Sequence, residues 1–194
     1  MSVPVDLTCA SLELPNGVRV REATHARIIE VTGRLSRIAE LGYPLRACEL
    51  ADDDAPPTAF SAKTVKDGAI IQGYLIIARS AAERYSDAAF LGLLAHETAH
   101  VPIAPEPACN IGIYGNRLPP VEERVACEAP VDAKAASWVG KPVMLTMLRE
   151  VQKFMSPLLD ADFRTYNDAE IAARITFLEE ATRRDASAKT TVVR

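Results

Sequence analysis

The sequence predicts an α+β fold in which a small antiparallel sheet packs on a helical core, and three observations carry that reading. A strand-turn-strand pattern lies within residues 45–78, where Lys66-Asp67-Gly68 supplies the Asp-Gly signal of a tight hairpin. Apolar residues at helical spacing come before that stretch and return well after it. Between the two helical regions, Phe90-Leu91-Gly92-Leu93-Leu94-Ala95-His96-Glu97-Thr98-Ala99-His100-Val101 is an apolar helical run that closes on the five residues HETAH.

Residues 1–22, with Pro4, Pro15 and the turn Asn16-Gly17, read as an extended lead-in. Over residues 23–41, Ile28, Val31, Leu35 and Ile38 recur at helical spacing, and Gly42 with Pro44 stops the helix. His25, in its charged first turn, reads as solvated. Residues 45–51 and 58–65 read as strands. The three aspartates between them, Asp52, Asp53 and Asp54, lack the spacing, the Gly and the closing Glu of a calcium loop, and predict a solvated acidic turn. Residues 69–78 form the third and most apolar strand, 80–85 a short helical turn, and Ser86-Asp87 offers an N-cap to the HETAH helix. Pro102 ends that helix, and residues 102–120, with five prolines and two glycines, read as a long irregular connection. Helices follow over residues 121–139, 142–155 and 168–183, and residues 185–194 read as a flexible tail. A single domain over residues 23–184 accounts for the chain.

Composition excludes several classes. With 194 residues, 48% hydrophobic and 25% charged content and a net charge of −4, the chain has no basic excess of the kind nucleic acid or an anionic membrane requires. No stretch approaches 18 uninterrupted apolar residues, so no membrane span is expected. The first residues show neither a basic region nor a long apolar region, so no secretory signal is evident. The four cysteines have no CxxC spacing and read as reduced thiols, which predicts a cytoplasmic protein. Cys109 and Cys127, which bracket the loop after HETAH, are the pair an oxidising compartment could join.

Of only three histidines in the chain, two stand in HETAH. On a helix His96 and His100 are i and i+4, so both imidazoles leave one face and can share one Zn²⁺ per chain. Glu97 beside them is placed to take a proton from metal-activated water and later deliver it to a leaving amine. Phe90, Leu93, Leu94 and Val101 make this a buried helix, in which imidazoles and a carboxylate need partners.

Two histidines and a water leave a catalytic zinc short of one protein ligand. His25 is badly placed, so the third ligand is expected to be a carboxylate. Glu128 is favoured because Asp132 follows it at i+4, where it can accept the free N–H of a ligating imidazole. Pro130 interrupts that stretch, and if the helix begins near Pro119-Pro120, Glu122 or Glu123 could face the metal instead.

With HETAH, Glu128-x-x-x-Asp132 and the later pair Arg174-Ile175 in this order, the chain resembles the gluzincin metallopeptidases. Within that group it is similar to soluble relatives of the CAAX prenyl protease and of the bacterial heat-shock membrane protease. The resemblance covers about residues 23–180 and implies a zincin-like fold. Thr58-Ala59-Phe60-Ser61 is similar to the family's edge strand, which implies that Ala59 and Phe60 lie along a substrate cleft by strand addition. The family's last motif carries a His-Pro before the arginine, whereas this chain has Tyr166-Asn167-Asp168-Ala169. Arg174, or Tyr166 or Tyr114, would then have to stabilise the transition-state oxyanion.

The expected function is zinc-dependent hydrolysis of a peptide or protein substrate. The alternative keeps the zinc without catalysis, as a metal-stabilised binding or regulatory module, with Cys109 or Cys127 as a possible fourth ligand. A latent enzyme, with the lead-in or the tail lying in the cleft, is a third expectation.

Overall fold

A computed structural model describes residues 7–12, 14, 17–103 and 118–191, with side chains as far as residue 180. After a single 3-10 turn at Cys9–Ser11 the elements are β1 (Val20–Glu22), α1 (Ala26–Ile38), β2 (Leu45–Leu50), β3 (Ala59–Lys66) and β4 (Ala69–Ile77). The helices α2 (Arg79–Arg84), α3 (Asp87–His100), α4 (Val121–Val139), α5 (Lys141–Met155) and α6 (Ala161–Thr191) follow. Most of the irregular connection expected over residues 102–120, with Cys109 and Tyr114, lies outside the described residues.

The fold is α+β, but the sheet is mixed rather than antiparallel. Its strand order is β1-β2-β4-β3, with β2 and β4 parallel and the other two pairings antiparallel. The reason is the composition of β4. It is the most apolar strand, so it takes a central position where both faces are covered, and β2 must then pair on the side that β3 leaves free. Tyr74 and Ile76 face one way and Leu75 and Ile77 the other, all fully buried. The β3–β4 hairpin turns at Asp67 and Gly68, both at positive φ (52° and 79°), as the Asp-Gly signal requires. β1 and β3 are the two edges of the sheet.

Two cores lie on the two faces. One joins Leu75 and Ile77 to α1, α3, α4, α5 and α6; the smaller gathers Cys9, Cys48, Leu50, Ala55, Tyr74 and Ile76. In the smaller core Cys9 and Cys48 form a disulfide across 39 residues, which corrects the expectation of reduced thiols. The pairing is non-local and could not be read from spacing. Cys127 is also disulfide-bonded, while Cys109, its expected partner, lies outside the described residues. The lead-in is thus partly built into the fold, through this bond and through β1 on β2.

Two further boundaries differ from expectation. Helix α4 runs through Pro130 without a break. The ring sits on the exposed side of the helix, where it forfeits only the bond to the Ala126 carbonyl. Helix α6 starts seven residues earlier than the expected residue 168 and continues to Thr191 into the expected flexible tail, because no Pro or Gly follows Pro157 to stop it.

Close approaches fix α3 in place. A Cβ at Gly92 would stand 2.7 Å from Met147 Cβ and 3.1 Å from the Val143 carbonyl, so α3 and α5 touch nearly backbone to backbone. A Cβ at Gly73 would meet side chains of Leu45, Tyr43 and Val101, each at 3.1 Å, which seats the end of α3 against β4. Lys63 on β3 donates from Nζ to the Val101 carbonyl at 2.9 Å, tying the edge strand to the same helix end.

Candidate metal centre

Helix α3 begins as expected, with the Ser86 hydroxyl accepting a hydrogen bond from the Ala89 N–H. Ten of its fourteen residues are buried, His96 among them. His96 and His100 leave one face, with Nε2 atoms 3.1 Å apart and rings nearly perpendicular at 87°. From α4, Glu128 brings Oε2 to 3.2 Å from His96 Nε2 and 3.3 Å from His100 Nε2. This oxygen is buried and has no hydrogen-bond partner. Three buried or part-buried lone-pair atoms therefore converge on one point, and the group could hold a metal ion.

Asp132, one turn beyond Glu128, places Oδ1 at 2.9 Å from His96 Nδ1. As an ionised acceptor it requires a proton on Nδ1, so Nε2 is the nitrogen turned toward the convergence point. Arg174 from α6 grips Asp132 with Nε to Oδ2 and Nη2 to Oδ1, both at 2.8 Å, and donates from Nη1 to Glu170 Oε1 at 3.2 Å. Arg174 is thus a buried clamp on Asp132 that also contributes to the lining of the cleft over the centre. The Tyr166 hydroxyl is buried without a partner, and Tyr166 is not among the residues lining the cleft.

The charges at this centre are strongly coupled. Burial opposes charge on His96, but the Asp132 and Glu128 carboxylates outweigh it and raise its pKa from 6.5 to about 10. Burial likewise works against ionised Glu128, and the two imidazoles override it and hold its pKa well below the usual carboxylate range. Asp132, buried yet held by Arg174, falls to about 2. Glu97 goes the other way: burial, with Glu128 nearby, raises its pKa despite the imidazoles. A proton on His96 serves as the counter-charge that a divalent ion would replace.

A cleft of about 1150 Å³ opens over this centre. Residues 57–63, from the approach to β3 and its first half, line it, Ala59 and Phe60 among them, together with His96, Glu97 and His100. Leu93, Met147, Val151 and Met155 make one part of the lining apolar, while Arg124, Glu128 and Glu170 form a charged part.

No family model matches this chain. Nor does any curated protein or solved structure.

The structure brings together His96, Glu97, His100, Glu128 and Asp132. Glu122 and Glu123 are exposed in the first turn of α4 and do not join the ligand group. His25 occupies the N-cap position of α1 without a side-chain capping bond, its Nδ1 buried and unpartnered rather than solvated, and Glu49 accepts bonds from the Thr24 and His25 N–H groups. Asp52 and Asp53 are used in their own turn and by Arg21. Sequence reasoning missed Arg124 and Glu170. Both stand at i,i+4 from a site residue, Glu128 and Arg174 respectively, and that spacing was a readable signal.

Proposed function

We propose that this chain is a zinc-dependent peptidase of the gluzincin kind. The convergence of His96 Nε2, His100 Nε2 and Glu128 Oε2 carries the reading. Around a tetrahedral zinc with ligands at about 2.0–2.1 Å, neighbouring ligand atoms stand about 3.3 Å apart. The three separations here are 3.1, 3.2 and 3.3 Å, so these atoms suit three corners of such a site without rearrangement. Two imidazoles and one carboxylate favour zinc over calcium or magnesium, which prefer oxygen. Among the described residues three protein ligands converge, which leaves a corner for water, the pattern of catalytic rather than structural sites. Cys127, being disulfide-bonded, is withdrawn as a fourth ligand.

A zinc ion held there supplies Lewis acidity for a substrate carbonyl and acidifies a water. The chain's own residues do the rest. Glu97, in the cleft with a raised pKa, accepts the proton of the attacking water and passes it to the departing amide nitrogen. Asp132 keeps the proton of His96 on Nδ1. The edge of β3, unpaired among the described residues, offers backbone donors and acceptors to an extended peptide laid along the cleft, and the edge is the feature that favours a peptide over a small ester. The order of parts supports a zincin-like relative of the gluzincins.

The Cys9–Cys48 disulfide supports an oxidising compartment over the cytoplasmic expectation. No helix among the described residues is long and apolar enough to cross a membrane.

The test is metal analysis of the purified chain, with wild type and Glu97→Gln assayed on unfolded proteins and a peptide library. One zinc per chain in both, with cleavage lowered about 10²–10⁴-fold in the variant, is the expected result. Equal cleavage by both would remove Glu97 from its role. Bound zinc with no cleavage by wild type would return the metal-stabilised binding module.

A further inference from the structure

We infer that Arg124 is a positioning residue for the third metal ligand: it pins one oxygen of Glu128 so that the other alone is presented to the metal. The inference rests on the zinc reading above and extends it to a residue with no place in that mechanism.

Glu128 is 2% exposed and has two chemically equivalent oxygens. Oε2 faces the two imidazoles, while Oε1 lies 2.7 Å from Arg124 Nη2, one turn earlier on α4. Nothing about a free carboxylate selects between its two oxygens, and rotation about its last side-chain bond is soft. A charge-assisted bond to one of them removes that freedom. Arg124 is held in turn. Its Nε lies 3.7 Å from Glu170 Oε1, the same oxygen that takes Arg174 Nη1 at 3.2 Å. Arg174 completes the circuit through Asp132 to His96. Two ligands that stand on different helices are thus oriented by one connected set of ion pairs, with Glu170 on α6 as the shared anchor.

The sign of the effect separates this role from a mere charge. Arg124 brings a positive group to a carboxylate that binds a dication, so by field alone its removal would tighten metal binding. If it orients Glu128, removal weakens binding, as loss of an outer partner commonly does by about ten- to a hundredfold. Lysine keeps the charge but not the planar fork that reaches Glu128 and Glu170 together.

The experiment measures Zn²⁺ affinity of the full chain by competition with a chromophoric chelator, for wild type, Arg124→Gln and Arg124→Lys. Both variants are expected to bind about ten- to a hundredfold more weakly. Affinity in Arg124→Gln equal to or tighter than wild type would overturn the inference. So would full retention in Arg124→Lys, which would show that the planar fork to Glu128 and Glu170 is not what orients the ligand, and this variant decides the matter if the glutamine variant fails to fold. If wild type itself binds no zinc, the peptidase reading falls and this inference with it. If wild type binds and the variants match it, only this inference falls.

Discussion

His96 carries two jobs that compete for one proton. In the metal-free protein the ring is charged, held by Asp132 and Glu128 at a pKa of about 10; as a ligand it must offer a bare Nε2. Its folded pKa lies above the ordinary value of 6.5. The stability this contributes to the metal-free protein is therefore complete below about pH 6.5 and is lost as pH rises through about 10. Zinc affinity moves the opposite way. It should strengthen by about tenfold per pH unit across that window, with about one proton released per zinc bound near pH 8. Titration calorimetry in buffers of different ionisation enthalpy reads the proton directly, and uptake of no proton change would mean that His96 is neutral before the metal arrives. Asp132 poses a different problem. A fully buried carboxylate cannot stand alone, and Arg174 answers it with two bonds of 2.8 Å.

Helix α3 depends on two glycines at its contacts, one of its own and one on β4. Replacing Gly92 by Ala would improve intrinsic helix propensity by about 1 kcal/mol. The new Cβ, though, would fall 2.7 Å from Met147 Cβ and 3.1 Å from a backbone carbonyl of α5, and neither is the movable end of a flexible side chain. Overpacking should win, with a net loss of about 1–3 kcal/mol in urea unfolding. A stabilised variant would show that α5 can retreat. This contact was not legible in advance, because Gly92 stands in an otherwise apolar run where only the facing helix reveals what it touches. The ligand spacing was legible for the opposite reason. His96 with His100, and Glu128 with Asp132, are turn-to-turn neighbours whose relation is set by helix geometry alone. Arg124 with Glu128 has the same spacing, but its meaning depends on Glu170 of α6, which sequence neighbours do not disclose. For the sheet, strand positions and the Asp67-Gly68 turn followed from local pattern, whereas the parallel pairing of β2 with β4 reflects competition for the central position, a property of the whole sheet.

Across the molecule, the Cys9–Cys48 bond joins the start of the chain to the sheet. Closing a loop of 39 residues restricts the unfolded chain by about 4 kcal/mol on the chain-entropy account, and strain or residual structure commonly lowers that toward about 2. Reduction under native conditions should therefore lower the thermal midpoint. Cysteine-to-serine exchange at position 9 should do the same without reductant, as differential scanning calorimetry can check. An unchanged midpoint in both would mean that the 3-10 turn and β1 are held by packing alone. The bond lies on the sheet face away from the main core, so it is expected to leave zinc affinity unaltered.

Gly140 is the whole of the connection between α4 and α5, and its φ of 91° with ψ of 146° belongs to a backbone region closed to side chains with a Cβ. The helix that supplies Glu128 and Asp132 and the helix that presses on α3 at Gly92 are consequently joined by a single residue. Such a joint cannot lengthen. Natural variation or engineering that adds residues has room at the exposed Asp52–Asp54 turn, but one residue inserted at Gly140 would re-aim both helices at once. The spacing from Glu128 through Gly140 to Met147 is a fixed length of this design, and it is the feature by which a distant relative with different ligand-flanking residues could still be recognised.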